Sequence, residues 1–314
     1  HLSLRRQRQM CIRDRKVGEQ VPELPEVEHV TRGIKPFVKG QKIESILFSD
    51  KVQEGKANHR ETIVKGMELD TFKRFTRLYT IVDIERRSKY IVFYLEKDGD
   101  KRILISHLGM AGGFFVVDKL EDISVPNYRK HWHVIFKLDN DKLLVYSDIR
   151  RFGEIRNVAS FEAYPSFLEI APEPFEKEAM AHYLAWFDKK LYQNKPIKQM
   201  ILDHRVISGC GNIYACEALF RSGIHPARLP KDLNHQEREM LFYYVREVLE
   251  AGIKYGGTSI SDYRHADGST GTMQQHLNVY KQKVCKVCGD DIATQVIATR
   301  NSHFCPTCQK IKEE

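Results

Sequence analysis

The tightest constraint on this chain lies near its C-terminal end, in the run Cys285-x2-Cys288-x16-Cys305-x2-Cys308. Two cysteines separated by two residues sit on one tight knuckle, and two such knuckles aim four thiolates at one point. That spacing predicts a tetrahedral zinc site in a ribbon-like hairpin. Four protein ligands leave no open position, so the ion is expected to be structural and not catalytic. The competing reading, unrelated surface thiols, leaves the paired spacing without a cause. The remaining cysteines are Cys11, Cys210 and Cys216. An odd total and the lack of a secretory signal argue against a disulfide framework. Cys210 and Cys216 lie in apolar, helix-like surroundings and are expected in the core.

Composition narrows the class further. Of 314 residues, 42% are hydrophobic, with 16 Phe and 14 Tyr, enough to build a packed core. No run approaches the roughly 18 apolar residues that a membrane-spanning helix needs. The net charge of +8 favours an anionic partner such as nucleic acid. Half of that charge, however, sits in residues 1–20, which hold six of the 50 Lys+Arg and two of the 42 Asp+Glu. This segment has no apolar stretch and little serine, so it reads neither as a secretory signal nor as a transit peptide. It is expected to be a leader foreign to the fold.

The body divides by texture. Residues 41–158 carry short β-branched and aromatic runs, among them IESILF (43–48), YTIVDI (79–84), YIVFYL (90–95), RILISHL (102–108), GFFVV (113–117), HWHVIF (131–136) and KLLVY (142–146). Their spacing predicts a β-sandwich or barrel. Before them, Val27, Val30, Ile34 and Val38 recur at helical spacing, and Pro25 suits a first helical turn. Three prolines between 160 and 175 suggest a linker. From 176 the texture turns helical: EKEAMAHYLAWF (176–187) is amphipathic. Asn234 with Glu237 forms a capping-box signature before a stripe of Leu241, Tyr244, Val245, Val248 and Leu249, ended by Gly256-Gly257. The expected fold is α+β and multidomain. A leader (1–21) precedes a β-sandwich with a leading helix (22–160) and a linker (161–175). A helical domain (176–280) and a zinc-finger β-hairpin (281–314) follow.

Several segments, in this order, resemble one family. VPELPEVEHVTRGI (21–34) is similar to the start of the formamidopyrimidine-DNA glycosylases, bacterial repair enzymes for oxidised purines. ERRSKYI (85–91) resembles their lysine segment, and HLGMAG (107–112) and DIRRFG (148–153) resemble their duplex-probing loops. GCGNIYACEALFRSGIHP (209–226) resembles their helix-two-turn-helix, and the four cysteines their terminal zinc finger. The resemblance implies base-excision repair: removal of 8-oxoguanine and formamidopyrimidines from damaged double-stranded DNA, then β,δ-elimination at the abasic site. It implies one structural zinc, a monomer and a bacterial cytoplasmic setting.

The resemblance also implies roles. Pro22 matches the family's nucleophile, an N-terminal proline whose secondary amine attacks the sugar C1′. A terminal amine has a pKa of roughly 7.7–8.0, so part of it is neutral near pH 7, and the positive end of the following helix lowers it further. Inside a chain that nitrogen is an amide and cannot attack. Val21 is therefore expected to be the true start, a GTG codon read as valine. Glu23 matches the acid that protonates the ring oxygen and Glu26 a supporting carboxylate. Lys89 matches the lysine that contacts phosphate and assists elimination, and Arg300 the arginine of the second elimination. Met110, Arg150 and Phe152 match residues that fill the hole left by an extruded nucleotide. They are expected on exposed loops.

Asn212, at a helix N-terminus, and Lys198, His131 and Arg300 are expected to grip phosphate. Taken singly, these residues have blander readings: a helix-start proline and carboxylates, a solvated lysine, core Met and Phe. Two departures stand out: no basic residue at Asn194, and Ile149 where the family often has proline. Tyr263, Arg264 and His265, in the segment expected to fold over the extruded base (256–280), also differ from familiar patterns.

Two other readings remain. One is an endonuclease VIII-like enzyme for oxidised pyrimidines, although its usual start is PEGPE and this chain has PELPE. The other is a catalytically silent DNA-binding protein that retains its leader. Borohydride trapping and a lesion panel separate the three.

Overall fold

The computed structural model describes residues 21–60, 62–258 and 270–311; the leader at 1–20 and Tyr263, Arg264 and His265 lie outside the described residues. The chain forms two compact units. One comprises Val21–Ile170 with Ala251–Gln274, the other Ala171–Glu250 with Gln275–Glu314.

The first unit is a β-sandwich entered through a helix. Helix α1 (Leu24–Val38) puts Val27, Val30, Ile34 and Val38 fully out of solvent, as its periodicity predicts. Each such side chain contributes about 1.5–3 kcal/mol of burial. After it come β1 (Ile43–Phe48), helix α2 (Asp50–Ala57), β2 (Val64–Lys65) and helix α3 (Leu69–Arg74). A meander of β3 (Thr80–Arg87), β4 (Tyr90–Lys97) and β5 (Asp100–His107) follows, and then β6 (Gly112–Val117), which joins the other sheet. The unit continues with helix α4 (Pro126–Lys130), β7 (Trp132–Leu138), β8 (Leu143–Asp148) and β9 (Glu154–Val158). One sheet has the order β1-β7-β8-β6, the other β2-β9-β5-β4-β3. Residues of both sheets and of α1 share one core, with Phe93 and Phe114 rings 5.5 Å apart across it.

Of the stretch expected as a linker, residues 161–170 are packed structure, and the boundary between the two units falls inside it, after Ile170. Helix α5 (Pro165–Leu168) and its neighbours lay Phe161, Phe167 and Ile170 against Val92 and Ile105 on the five-stranded sheet. Phe161 and Phe167 stack at 5.1 Å, and the Tyr164 hydroxyl donates to Glu154 at 2.7 Å. The prolines initiate short turns here; the aromatic residues between them cover a sheet face that would otherwise stay wet.

In the second unit come α6 (Ala179–Leu184), α7 (Ile197–Ile201), α8 (Asn212–Arg221) and most of α9 (His235–Lys254), then β10 (Ala293–Ile297) and β11 (Arg300–Phe304). The expected capping box forms: the Glu237 amide donates to the Asn234 side chain and the Asn234 amide to Glu237, both at 2.9 Å. Cys210 and Cys216 are buried, as expected. The division at 280 expected from the sequence differs from the contacts in two respects. Residues 251–274 cluster with the sandwich, and the zinc hairpin clusters with the helices. The hairpin is tied there by Gln309, fully buried, whose amide nitrogen donates to the Ile224 carbonyl while its oxygen accepts from the Cys305 amide, both at 2.9 Å.

Candidate active site and metal centre

In the sandwich unit the chemistry gathers at the start of α1. Pro22 is buried, and Glu23 takes the N-cap position with extended backbone. Glu26, three residues on, accepts from the Glu23 amide at 2.9 Å. Its other carboxylate oxygen accepts from the Thr258 amide at 2.7 Å and the Thr258 hydroxyl at 3.1 Å. Both carboxylates are nearly inaccessible. Thr258 reaches this point through Gly257, at φ +75°, where a Cβ would stand 2.8 Å from the Glu26 carboxylate. The contact was invisible in the sequence because its partners are 232 residues apart.

Lys89 occupies the tip of the two-residue β3–β4 hairpin, half-buried, behind Ser88 at φ 57°. The base of that hairpin is fastened to α1. Arg86 Nε donates to Glu28 at 2.7 Å, Arg32 donates to the same carboxylate at 2.6 Å, and Arg86 also reaches the Ser88 carbonyl at 3.1 Å. Burial raises the Glu28 pKa, but the two arginines outweigh it and hold the carboxyl below its ordinary value. Across the sheet Tyr90 pairs with His107, so Lys89 stands one residue from the strand that leads into the 107–112 loop. His107 was not singled out from sequence. It accepts from the Gly109 amide at 3.0 Å and packs on the Tyr90 ring. Its signal was the first letter of HLGMAG.

The two loops resembling probing loops meet backbone to backbone. A Cβ on Gly109 would stand 2.4 Å from the Gly153 nitrogen, and one on Gly153 would overlap the Tyr146 hydroxyl and stand 2.7 Å from the His107 carbonyl. Beneath them Asp148, fully buried, accepts from the Arg150 amide at 3.0 Å and the Gly153 amide at 2.8 Å. Burial pushes its carboxyl above the usual range although these amides pull the other way. The loop so held presents Phe152, 52% exposed, with the Arg150 guanidinium 5.3 Å from its ring. Met110 differs from expectation: only 7% of it is exposed, because the turn that carries it is folded down by the glycine contacts. His131 is half-buried, its Nδ1 2.8 Å from the Asn127 carbonyl at the end of α4.

The second unit brings together Lys198, Asn212 and Arg300. Lys198, expected to grip phosphate, is fully buried: its ammonium donates to the Ser302 hydroxyl at 2.5 Å and approaches the Asn301 carbonyl at 3.4 Å. Asn212, the first residue of α8, donates to the same carbonyl at 2.9 Å. Arg300 follows a tight turn in which Ala298 and Thr299 both have positive φ, a conformation that L-residues adopt only under constraint. Asn194 is exposed at the end of the turn before α7. Glu217 on α8, missed from sequence, accepts from the amides of Asn278, Val279 and Tyr280 at 2.8–2.9 Å and so anchors the approach to the hairpin.

The four cysteine sulfurs lie within 4.8 Å of one another. Zinc with thiolate arms of about 2.3 Å requires sulfur–sulfur edges of roughly 3.8 Å. The observed separations are 3.9 Å for Cys285–Cys308 and 3.4 Å for Cys288–Cys305, so the four residues fit the ion.

Comparison with known proteins agrees with this geometry. The chain matches the formamidopyrimidine-DNA glycosylase N-terminal domain over residues 21–155, the H2TH domain of the same proteins over 170–264, and the zinc finger found in FPG and IleRS over 282–311. It is 39% identical over 292 residues to formamidopyrimidine-DNA glycosylase of Haemophilus influenzae (strain 86-028NP), covering 92% of this chain and 99% of the relative. Among solved structures it is similar to a variant Lactococcus lactis FPG bound to Fapy-dG-containing DNA (TM-score 0.78, 34% identity, 92% and 100% of the two chains). It is equally similar to the wild-type Lactococcus protein bound to DNA containing an oxidised pyrimidine (TM-score 0.77, 34% identity, same coverage).

Proposed function

The chain belongs to the formamidopyrimidine-DNA glycosylase family, and from that premise we propose a bifunctional reaction and a role for each residue. The protein is a base-excision repair DNA glycosylase whose zinc finger carries one structural zinc. In the proposed reaction it removes oxidised purines and then cleaves the abasic strand, working as a monomer in the bacterial cytoplasm. The observation that carries this reading is the cluster at the start of α1. A proline and two buried carboxylates sit together at the positive end of a helix, in the unit that holds the Lys89 hairpin and the Phe152 loop.

The proline nitrogen, as a free secondary amine, donates its lone pair to C1′, the damaged base leaves with the glycosidic electrons, and the proton then carried by the nitrogen passes to that departing base, which restores the nitrogen lone pair. Glu23 gives a proton to the ring oxygen as the C1′–O bond opens, which leaves an iminium on an open sugar. Glu26 is spent on hydrogen bonds to Glu23 and Thr258, so it positions and does not transfer protons. Loss of the 2′ proton expels the 3′ phosphate, and a second elimination expels the 5′ phosphate. Lys89 and Arg300 are the cations offered to those departing phosphates. Phe152 fills the space left by the extruded nucleotide while Arg150 faces the orphaned partner base. The four cysteines hold zinc, whose contribution is to order the hairpin that carries Arg300.

The reading is tested by borohydride trapping on an 8-oxoguanine·C duplex. A protein beginning at Pro22 is expected to give a covalent band, and one retaining residue 21 none, because its Pro22 nitrogen is an amide. Strong trapping by the longer protein, with residue 21 verified by mass, rules out Pro22 as nucleophile. The Lactococcus complex with an oxidised pyrimidine favours a second reading in which lesion choice extends beyond purines. Comparable excision of both classes in a lesion panel would establish that breadth.

A further inference from the structure

A cleft of about 560 Å³ opens beside the Phe152 loop and shares Arg150 and Phe152 with the residues given roles above. Its walls include Lys51, Arg60, Arg150 and Arg151, with Phe152 at the rim and Glu54 as the one carboxylate among the described lining residues. Glu54 pairs with Lys51 at 3.1 Å on the same helix, and one carboxylate against four cations leaves the cleft net positive. No local pattern points to it. Helix α2 buries only Val52 and shows no apolar periodicity.

The cations are placed by backbone devices. Helix α2 ends in a Schellman motif: His59 takes a positive φ of 53°, its amide donates to the Lys56 carbonyl at 2.9 Å, and the Arg60 amide returns to the Gly55 carbonyl at 2.8 Å. Gly55 carries no side chain where Thr62 comes in; a Cβ there would stand 2.4 Å from the Thr62 methyl. This close approach folds Arg60 back along the helix towards the cleft. On the opposite wall Arg151 adopts a positive φ of 57° between Arg150 and Phe152, in the loop that Asp148 holds.

We propose that this cleft binds the phosphodiester backbone of the strand opposite the extruded nucleotide. The proposal rests on the DNA glycosylase reading. Arg150 is shared: it lines the cleft and is the residue expected to face the orphaned base, so the backbone running from that base passes the cleft first. Lys51 and Arg60 then neutralise phosphates flanking the wedge and hold the kinked duplex against it.

Counterion release gives the test. Each phosphate contact contributes about 0.9 to the slope of log affinity against log salt, so Lys51→Gln with Arg60→Gln should lower the slope by about 1.8. Between roughly 50 and 200 mM salt, the wild-type affinity for lesion duplex should therefore fall about twelvefold further than that of the double variant. Lys101→Gln, an exposed lysine at the far end of β5 from His107, should leave the slope unchanged. An unchanged slope in the double variant, or an equal change in Lys101→Gln, overturns the cleft as a phosphate site. A wild-type protein that binds no lesion duplex overturns the glycosylase reading itself, which separates the two failures.

Discussion

The loop at 149–153 and the hairpin at 297–300 both present an arginine, and they are held by opposite means. The first is fixed by closeness of backbone. Gly109 and Gly153 let two loops touch where no Cβ fits, and Asp148 collects the amides around the turn. The second is fixed by side chains: four thiolates beside the hairpin, Glu217 on the approach segment, and Lys198 and Asn212 on the strand that follows Arg300. A backbone-locked loop needs no ion and can expose its side chains, which suits a wedge. A small hairpin has little core of its own and depends on ligation to order it.

If that contrast is right, the two regions should break in different ways. Cys285→Ser should release zinc and loosen the Arg300 hairpin, since structural zinc contributes on the order of 10 kcal/mol to ordering such a module. The expected result is zinc loss by metal analysis and strongly weakened DNA binding, with the circular dichroism of the sandwich strands retained. A variant without zinc that binds lesion DNA normally would remove the contrast.

Gly153→Ala should act on the other side. The added methyl meets the Tyr146 hydroxyl and the His107 carbonyl, a clash whose cost is about 1–3 kcal/mol or somewhat more if the loop cannot shift. Urea unfolding should show this loss while zinc content stays at one per chain. Phe152→Ala, at an exposed site, should change stability by less than about 0.5 kcal/mol. It should nevertheless slow excision from duplex roughly tenfold, equivalent to about 1.4 kcal/mol of barrier, and affect a preformed abasic site less. Equal slowing on both substrates would argue against a wedge.

The smallest effect concerns pH. His133, under the 149–153 loop, has its Nε2 2.9 Å from the Asp148 carbonyl, and burial, aided by the Arg151 charge, holds its pKa below 6.5. The native state therefore binds fewer protons than the unfolded chain in this range. The stabilisation is fully present above about pH 6.5 and is lost as pH falls towards the folded value. Unfolding midpoints should fall more steeply from pH 7 to 5 in wild type than in His133→Gln.

Much of this was legible from local pattern. The cysteine spacing named the metal site, the Val27–Val38 stripe named the helix, and most strands showed their β-branched runs. The order of short motifs brought Pro22, Glu23, Lys89, Arg150, Phe152 and Arg300 into view, because these residues sit in short, unusual contexts that can be read without their spatial neighbours. Only tertiary structure decided the rest. Met110 and Lys198 are buried because other segments close over them, and residues 161–170 are a sheet cover because aromatic rings find a wet face to fill. Glu26 clamps Thr258, and Glu217 holds the approach to the zinc hairpin, through carboxylates that meet amides 61 to 232 residues away. Sequence periodicity reports which side of an element is apolar. It carries no information on which distant backbone amide will need a buried charge, and that is settled only when the chain has closed on itself.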